Sequence, residues 1–316
     1  MTTNILPFKG PLYRYLSLTK EDKEDLENFS EWSGSNNSIA AWNYINSNAH
    51  KRDHRLLYLF KNKKLYRTTP SGFNDPYDCL VEIDNNASDE DLLTWLRRYF
   101  RLQAFDPEAW QKQVTRYSKY IENNNNSLEN KDRNPLIELI QKTLQKIVNE
   151  TRTICFSKTG ENLLMWAHYA DKHEGYCLEF CSETLKSTNK GTNDWIGFYP
   201  IEYSKSRPLI KLSNEELVKE NGDIKETLSG KILLSKSKHW EYEEEVRQIY
   251  QKKTEYFDFL PESLSGIIFG AKMPDLYRTG FQFLLKQLNL NIPTECAQLD
   301  LYKYEVNIPS QNSGST

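Results

Sequence analysis

Strand-forming runs and helix-periodic runs are mixed along this chain without the regular alternation that builds a doubly wound parallel sheet, which favours the α+β class. Residues 11–18 alternate aromatic and aliphatic side chains around Arg14 and read as a strand. Ser38 and Asp53 each precede an apolar periodic run and are helix N-cap candidates. A strand over 65–69 is stopped by Pro70 and the turn-rich residues 71–78. Across 88–150 the character changes: Ser88 with Asp91 resembles a capping box, Asp106-Pro107 and Asn134-Pro135 set an N-cap before proline, and apolar residues recur at helical spacing. The polar stretch 121–133 predicts a loop inside that helical insert. Strands resume at 153–157 and 176–181 around a helix over 161–171. Further strands are expected at 198–203, 245–251, 266–270 and 298–307, with helices near 213–220, 223–236 and 275–288. The expectation is a single α+β domain over 11–308 with a mixed or antiparallel sheet core, a helical insert at about 88–150, and a flexible tail at 309–316.

Lys plus Arg number 41 against 44 Asp plus Glu, a net charge of -3, so no global field steers the chain to nucleic acid or anionic lipid. The 7 Trp, 19 Tyr and 14 Phe supply large surfaces to bury, which argues against disorder. Apolar runs fall far short of the roughly 18 residues a membrane helix needs, so no membrane partner is expected. The N-terminus lacks the basic and apolar regions of a secretory signal, and the 5 cysteines form no regular framework; both predict a cytoplasmic protein with reduced thiols.

Polar residues embedded in aromatic or strand-forming sequence mark the candidate sites, because stranding them in a core costs a few kcal/mol. They are Arg14; Asn74, Asp75 and Asp78; Ser157, Trp166, His168, Tyr169, Tyr176 and Glu179; and Trp240, Tyr242, Glu243, Glu245 and Arg247. The strings that carry them are Leu12-Tyr-Arg-Tyr, Leu65-Tyr-Arg-Thr, Phe73-Asn-Asp-Pro-Tyr-Asp-Cys, Cys155-Phe-Ser, Leu164-Met-Trp-Ala-His-Tyr-Ala, Gly175-Tyr-Cys-Leu-Glu-Phe and Lys238-His-Trp-Glu-Tyr-Glu-Glu-Glu-Val-Arg. Together, in this order over residues 12 to about 270, they resemble a bacterial family known only as a domain of unknown function, which implies kinship and no particular reaction.

Leu12-Tyr-Arg14, Cys155-Phe-Ser157 and Glu243-Glu-Glu245 also resemble, in order, the arginine, serine and glutamate strands of ADP-ribosyltransferases. That resemblance implies an ADP-ribosyltransferase-like sheet, NAD as substrate, and an unidentified macromolecular acceptor, protein or nucleic acid. It assigns Arg14 to the NAD pyrophosphate, Ser157 to the nicotinamide ribose, Tyr169 or Tyr176 to the nicotinamide ring, Glu245 to the oxocarbenium-like state and Glu243 to the acceptor. It also implies a toxin or phage-defence effector. The sequence departs from the pattern at Lys158-Thr159, where a full Ser-Thr-Ser is missing, and in the long insert between Arg14 and Ser157.

Other readings of the same residues stay open. Arg14 is equally an interstrand arginine, Phe73-Asn-Asp-Pro a structural turn, His168 a core histidine, and residues 243–245 a solvated acidic run. A ligand-sensing or protein-interaction module would use the strings as scaffold. A metal nuclease would gather Asp75, Asp78, Glu179 and Glu245 around hard cations, and Cys177, Cys181, His168 and His173 are zinc-capable types at an unusual spacing.

Overall fold

The structure, a computed structural model, describes residues 8–84, 86–92, 94–95, 112, 115, 119, 130–185, 197–211, 228–250 and 254–309. The chain divides into two compact units, one made of Met1–Leu6, Thr69–Thr151 and Glu202–Lys238, the other of Pro7–Thr68, Arg152–Ile201 and His239–Thr316.

In chain order the first elements are β1 (Pro11–Leu16), α1 (Lys20–Gly34), α2 (Ser38–Asn48), α3 (Arg55–Asn62), β2 (Lys64–Tyr66), β3 (Glu82–Ile83), α4 (Asn130–Asn149) and β4 (Arg152–Ser157). Then come α5 (Leu163–Tyr169), β5 (Tyr176–Cys181), β6 (Phe198–Pro200), β7 (Glu202–Ser204), β8 (Leu209–Ile210), α6 (Leu228–Leu233) and β9 (Ser235–Ser237). The last are β10 (Glu245–Tyr250), β11 (Tyr256–Asp258), β12 (Leu264–Phe269), α7 (Asp275–Gln287), β13 (Thr294–Cys296), β14 (Gln298–Leu299) and β15 (Val306–Asn307).

The second unit is built on a seven-stranded mixed sheet of order β13-β12-β5-β1-β4-β10-β6, antiparallel except where β12 meets β13, and it establishes the α+β class. Strand side chains alternate between faces. One face carries Leu12, Ile154, Phe156, Leu178, Phe180, Val246 and Ile267, buried against Leu26 and Phe29 of α1, Ile45 of α2, Leu56 and Phe60 of α3, and Phe281 and Leu284 of α7. The opposite face carries Tyr13, Tyr15, Cys177 and Ile268, covered by Met165 and Trp166 of α5 together with Val306 and Ile308.

Helices α1 and α7 cross so closely that a Cβ on Gly280 would stand 2.1 Å from the Leu26 carbonyl oxygen. Backbone cannot give way as a side-chain tip can, so Gly280→Ala is expected to cost about 2–3 kcal/mol by forcing the helices apart. A drop in urea midpoint at unchanged slope would show it, and a neutral substitution would refute the close crossing.

Two buried carboxylates tie α1 to its neighbours. Asp22 accepts the Thr19 amide at 3.0 Å in a capping box and the Leu56 amide of α3 at 2.7 Å. Asp25 accepts the Tyr44 hydroxyl at 2.7 Å and faces His54 Nδ1 at 2.9 Å. Burial raises both carboxyls above the ordinary 3.8, against the hydrogen bonds that pull them down. A carboxyl raised in the folded state binds its proton more readily there than in the unfolded chain. Its contribution to stability is therefore full below pH 3.8 and lost as pH rises through the folded value. Asp22→Asn cannot ionise, so the stability difference between the natural chain and this variant should drift against the natural chain as pH rises from 3.8 toward neutrality. Urea midpoints across pH read this drift, and a constant difference would contradict it.

The other unit pairs β3 with β8 and β7 with β9, both parallel and both short. Helix α4 packs its Ile140, Leu144 and Val148 inward, and Gln141 Nε2 donates to the Val81 carbonyl at 3.2 Å. Helix α4 begins at Asn130, four residues before the Asn134-Pro135 start read from the sequence, because the charged residues 131–133 carry adequate helix propensity despite their polarity. The helix expected over 223–236 ends at Leu233 and gives way to β9, and α5 is shorter than 161–171 because Asn162 caps it. The strand expected over 298–307 is two short strands joined by a turn in which Asp300 accepts the Tyr302 and Lys303 amides. Most of the 121–133 loop, the helix near 213–220 and the tail beyond Pro309 lie outside the described residues.

Candidate functional site

In the register of the sheet, Tyr13 stands opposite Ser157 and Glu179, and Ser157 stands opposite Glu245. Residues directly opposite in antiparallel strands share a face. Glu179, Tyr13, Ser157 and Glu245 therefore form one lateral row over four strands on the α5 side of the sheet. Two residues along β10, Arg247 lies on the same face opposite Cys155. Ser157 and Arg247 are fully buried and Glu245 is 3% exposed.

Glu245 is held in a fixed orientation. Arg247 Nε donates to its Oε1 at 2.6 Å and Nη2 to its Oε2 at 3.1 Å, a bidentate pairing that matches the guanidinium fork to both carboxylate oxygens. Taking two charges out of water is costly, and this two-point geometry is what offsets the cost.

The approach to β10 is equally fixed. The turn Lys238–Glu243 is held by Asn162, whose Oδ1 caps α5 at the Leu164 and Met165 amides and whose Nδ2 donates to the Tyr242 carbonyl at 2.5 Å. The Lys158 amide, one residue beyond Ser157, donates to the Glu244 carbonyl at 3.1 Å. Glu244 takes the left-handed conformation at φ 44°, a strained state for a side chain of this kind. That reversal re-aims the backbone, so that Glu243 accepts the Tyr169 hydroxyl of α5 at 2.6 Å while Glu245 enters the sheet beside Ser157. Glu243 is 3% exposed. Two carboxylates from one short segment are thus oriented by different partners.

An aromatic group lies alongside. Tyr242 stands 6.0 Å from Trp240 and 6.3 Å from His168 between ring centroids; Trp240 and Tyr242 are half-buried and His168 is exposed. His168 is therefore not a core histidine.

The remaining candidates go elsewhere. Arg14 lies on the helix-covered face with Leu12 and Leu16, opposite to Ser157 and Glu245, because it follows Tyr13 by one residue. Its Nη1 donates to the Cys155 carbonyl at 3.0 Å and Nη2 to the Tyr66 carbonyl at 3.4 Å. Tyr176 is on that same face, buried against Phe281 at 5.2 Å. Trp166 is buried, donates Nε1 to the Gly160 carbonyl at 2.7 Å and meets Tyr15 edge-on at 5.1 Å. Glu179, half-buried, lies beside Gly266, with its carboxyl raised chiefly by burial. It is three strand spacings from Glu245, about 14 Å at the usual interstrand distance, too far to share one cation. Cys177 and Cys181 are four residues apart on one strand, about 13 Å, which breaks the zinc set. Among the described residues no three His, Cys, Asp or Glu are grouped to hold a metal ion.

Asn74, Asp75 and Asp78 belong to the other unit. Phe-Asn-Asp-Pro forms the turn its composition suggests: Asp75 Oδ1 accepts the Tyr77 amide at 2.9 Å and the Asp75 carbonyl accepts the Asp78 amide at 3.1 Å. Asp78 is buried with Lys236 Nζ 3.6 Å from its Oδ2. Lys236 was not singled out in the sequence, where nothing distinguishes it from the lysines around it. Arg67, from the second Leu-Tyr-Arg string, is also buried, over the Tyr250 ring at 3.8 Å and bonded to the Tyr256 carbonyl.

No curated protein and no solved structure matches this chain. Residues 165–248, from α5 into β10, match a family described as a protein of unknown function, DUF2971. The match takes in the Tyr169–Glu243 and Glu245–Arg247 pairs and leaves Arg14 and Ser157 outside it.

Proposed function

We propose that the protein cleaves NAD at the nicotinamide glycosidic bond and transfers ADP-ribose to a macromolecule or to water. The observation that carries this reading is Glu245 locked bidentately by Arg247 directly across the strand pair from Ser157. A carboxylate so fixed cannot turn away as positive charge develops near it, and such preorganisation is the largest electrostatic contribution available to a site.

In the proposed reaction the bond between ribose C1′ and the nicotinamide nitrogen breaks, and its electron pair leaves on the nitrogen of neutral nicotinamide. Glu245 stabilises the oxocarbenium-like cation, and Ser157 bonds the ribose. The acceptor oxygen then forms the new bond to C1′ and gives its proton to Glu243, which Tyr169 orients. The Trp240, Tyr242 and His168 rings offer a stacking surface for the nicotinamide ring. Arg247 takes the place of Arg14 as the guanidinium on this face, and it acts by positioning Glu245. Arg14 lies on the opposite face and is spent on the backbone carbonyls of Cys155 and Tyr66.

The test is release of nicotinamide from NAD by the purified full chain beside Glu245→Gln, with cell extract as acceptor source. Release by the natural chain and its loss in the variant support the reading; no release together with no NAD binding by calorimetry overturns it. The near-complete burial of Glu245 and Arg247 favours a second reading, a non-enzymatic module in which the ion pair is scaffold. It predicts a large fall in melting temperature for Glu245→Gln and no NAD turnover in either protein.

A further inference from the structure

In the unit that holds Glu202–Lys238, a cavity of about 370 Å³ opens between β7, the bend that follows it, α6 and the start of β9. Its size lies within the roughly 300–1,000 Å³ of small-molecule sites. Its chemistry is donor-rich. Arg207, Lys231, Ser204, Ser206 and Tyr203 all line it, and Glu202 is the one carboxylate in its wall among the described residues.

Ser204 and Arg207 offer donors to the cavity. Ser204 Oγ accepts the Ser206 amide at 3.1 Å, which tightens the bend and leaves the Ser204 hydroxyl proton to donate. Ser235 Oγ donates to the Lys231 carbonyl at 2.7 Å and so fixes the turn from α6 into β9. Arg207 is exposed and pairs with no carboxylate among the described residues. Lys205 and Lys211, both exposed, flank the same segment, so that 202–211 carries three cations and one carboxylate. An unspent guanidinium fork beside several hydroxyls complements a tetrahedral group with several acceptor oxygens better than it complements a neutral ligand.

We infer that this cavity binds a phosphate group of a compact phosphorylated ligand, with Arg207 as its main anchor and Ser204 and Ser206 as hydroxyl donors. The inference does not depend on NAD cleavage at Glu245. The phosphate could belong to a free small molecule or to a nucleic-acid backbone, and the concave shape favours the former.

The experiment is calorimetry on the full chain with inorganic pyrophosphate, and in parallel with a short single-stranded oligonucleotide lacking terminal phosphates. Saturable pyrophosphate binding is expected, weakened at least about tenfold in Arg207→Ala. Ser206→Leu, which fills the cavity from an exposed position, should weaken it likewise. Arg207-dependent binding of the oligonucleotide in place of pyrophosphate would keep the phosphate site and assign its source to a nucleic-acid backbone. No binding of either probe, or binding that Arg207→Ala leaves unchanged, overturns the inference. Because Arg207 is exposed, its variant folds, and equal melting temperatures verify that.

Discussion

Arg247→Met is expected to lower the unfolding free energy by about 3–5 kcal/mol, the usual cost of removing one partner from a buried ion pair. The residue is fully buried, and methionine fills much of its volume, so the loss is electrostatic more than steric. What remains is the Glu245 carboxylate, 3% exposed and stripped of the two guanidinium hydrogen bonds that held it. Adding Glu245→Gln to Arg247→Met should recover part of the loss, because it removes the buried charge that has lost its guanidinium. The sum of the two single effects would then exceed the effect of the double variant. Urea denaturation of all three proteins reads this, since a change in midpoint at constant slope isolates stability. A cost below about 1 kcal/mol for Arg247→Met would mean that water reaches the pair, and that the site is more open than its burial indicates.

How much of this was legible in the sequence depends on the kind of signal. Period-two alternation located β1, β4, β5 and β10, and the aromatic content indicated large surfaces to bury without saying that both faces of the sheet would be covered. Capping chemistry located α2, as Asn37 and the following periodic run show, although the cap is Asn37 and not Ser38. Likewise His54, not Asp53, occupies the N-cap of α3 and makes no side-chain capping bond. Boundaries of one residue are decided by local backbone geometry that composition does not encode.

The candidate site was legible in part for a related reason. Within one strand, parity separates faces, so Glu245 and Arg247 could be read as neighbours on one side. Between strands, the relative face depends on register, and register is set by pairing over the whole sheet. Arg14 and Ser157 look equivalent in sequence, each a polar residue in an aromatic strand. The pairing of Tyr13 with Ser157 puts them on opposite faces. Tyr169 with Glu243 was foreseeable as two site candidates but not as a bonded pair, because the left-handed Glu244 that brings them together carries no sequence signal. The turn at Asp75 was legible because its side chain bonds its own backbone, a purely local event.

Glu245→Gln is expected to reduce nicotinamide release by about 10²–10³-fold, roughly 3–4 kcal/mol of transition-state stabilisation. Glutamine keeps the shape of the side chain and one oxygen for Arg247, but it brings no charge to meet the cation forming at the ribose. Interactions made only in the transition state reduce kcat and kcat/KM together, so KM for NAD should stay nearly constant. Glu245→Gln also destabilises the fold, because it leaves the fully buried Arg247 guanidinium with only a neutral acceptor, so release is compared at temperatures where both proteins are folded. These two readouts separate catalysis from scaffolding. A scaffold residue would lower activity only in proportion to the folded fraction, with release restored at a temperature where the variant is fully folded. A catalytic carboxylate would leave release suppressed at every temperature at which both proteins are folded. Tyr169→Phe serves as the internal comparison, since it removes one hydrogen bond to Glu243 while leaving the Glu245–Arg247 pair in place. Under the proposed reaction its effect should grow when a macromolecular acceptor replaces water, because that reaction assigns Glu243 to the acceptor and not to the leaving group.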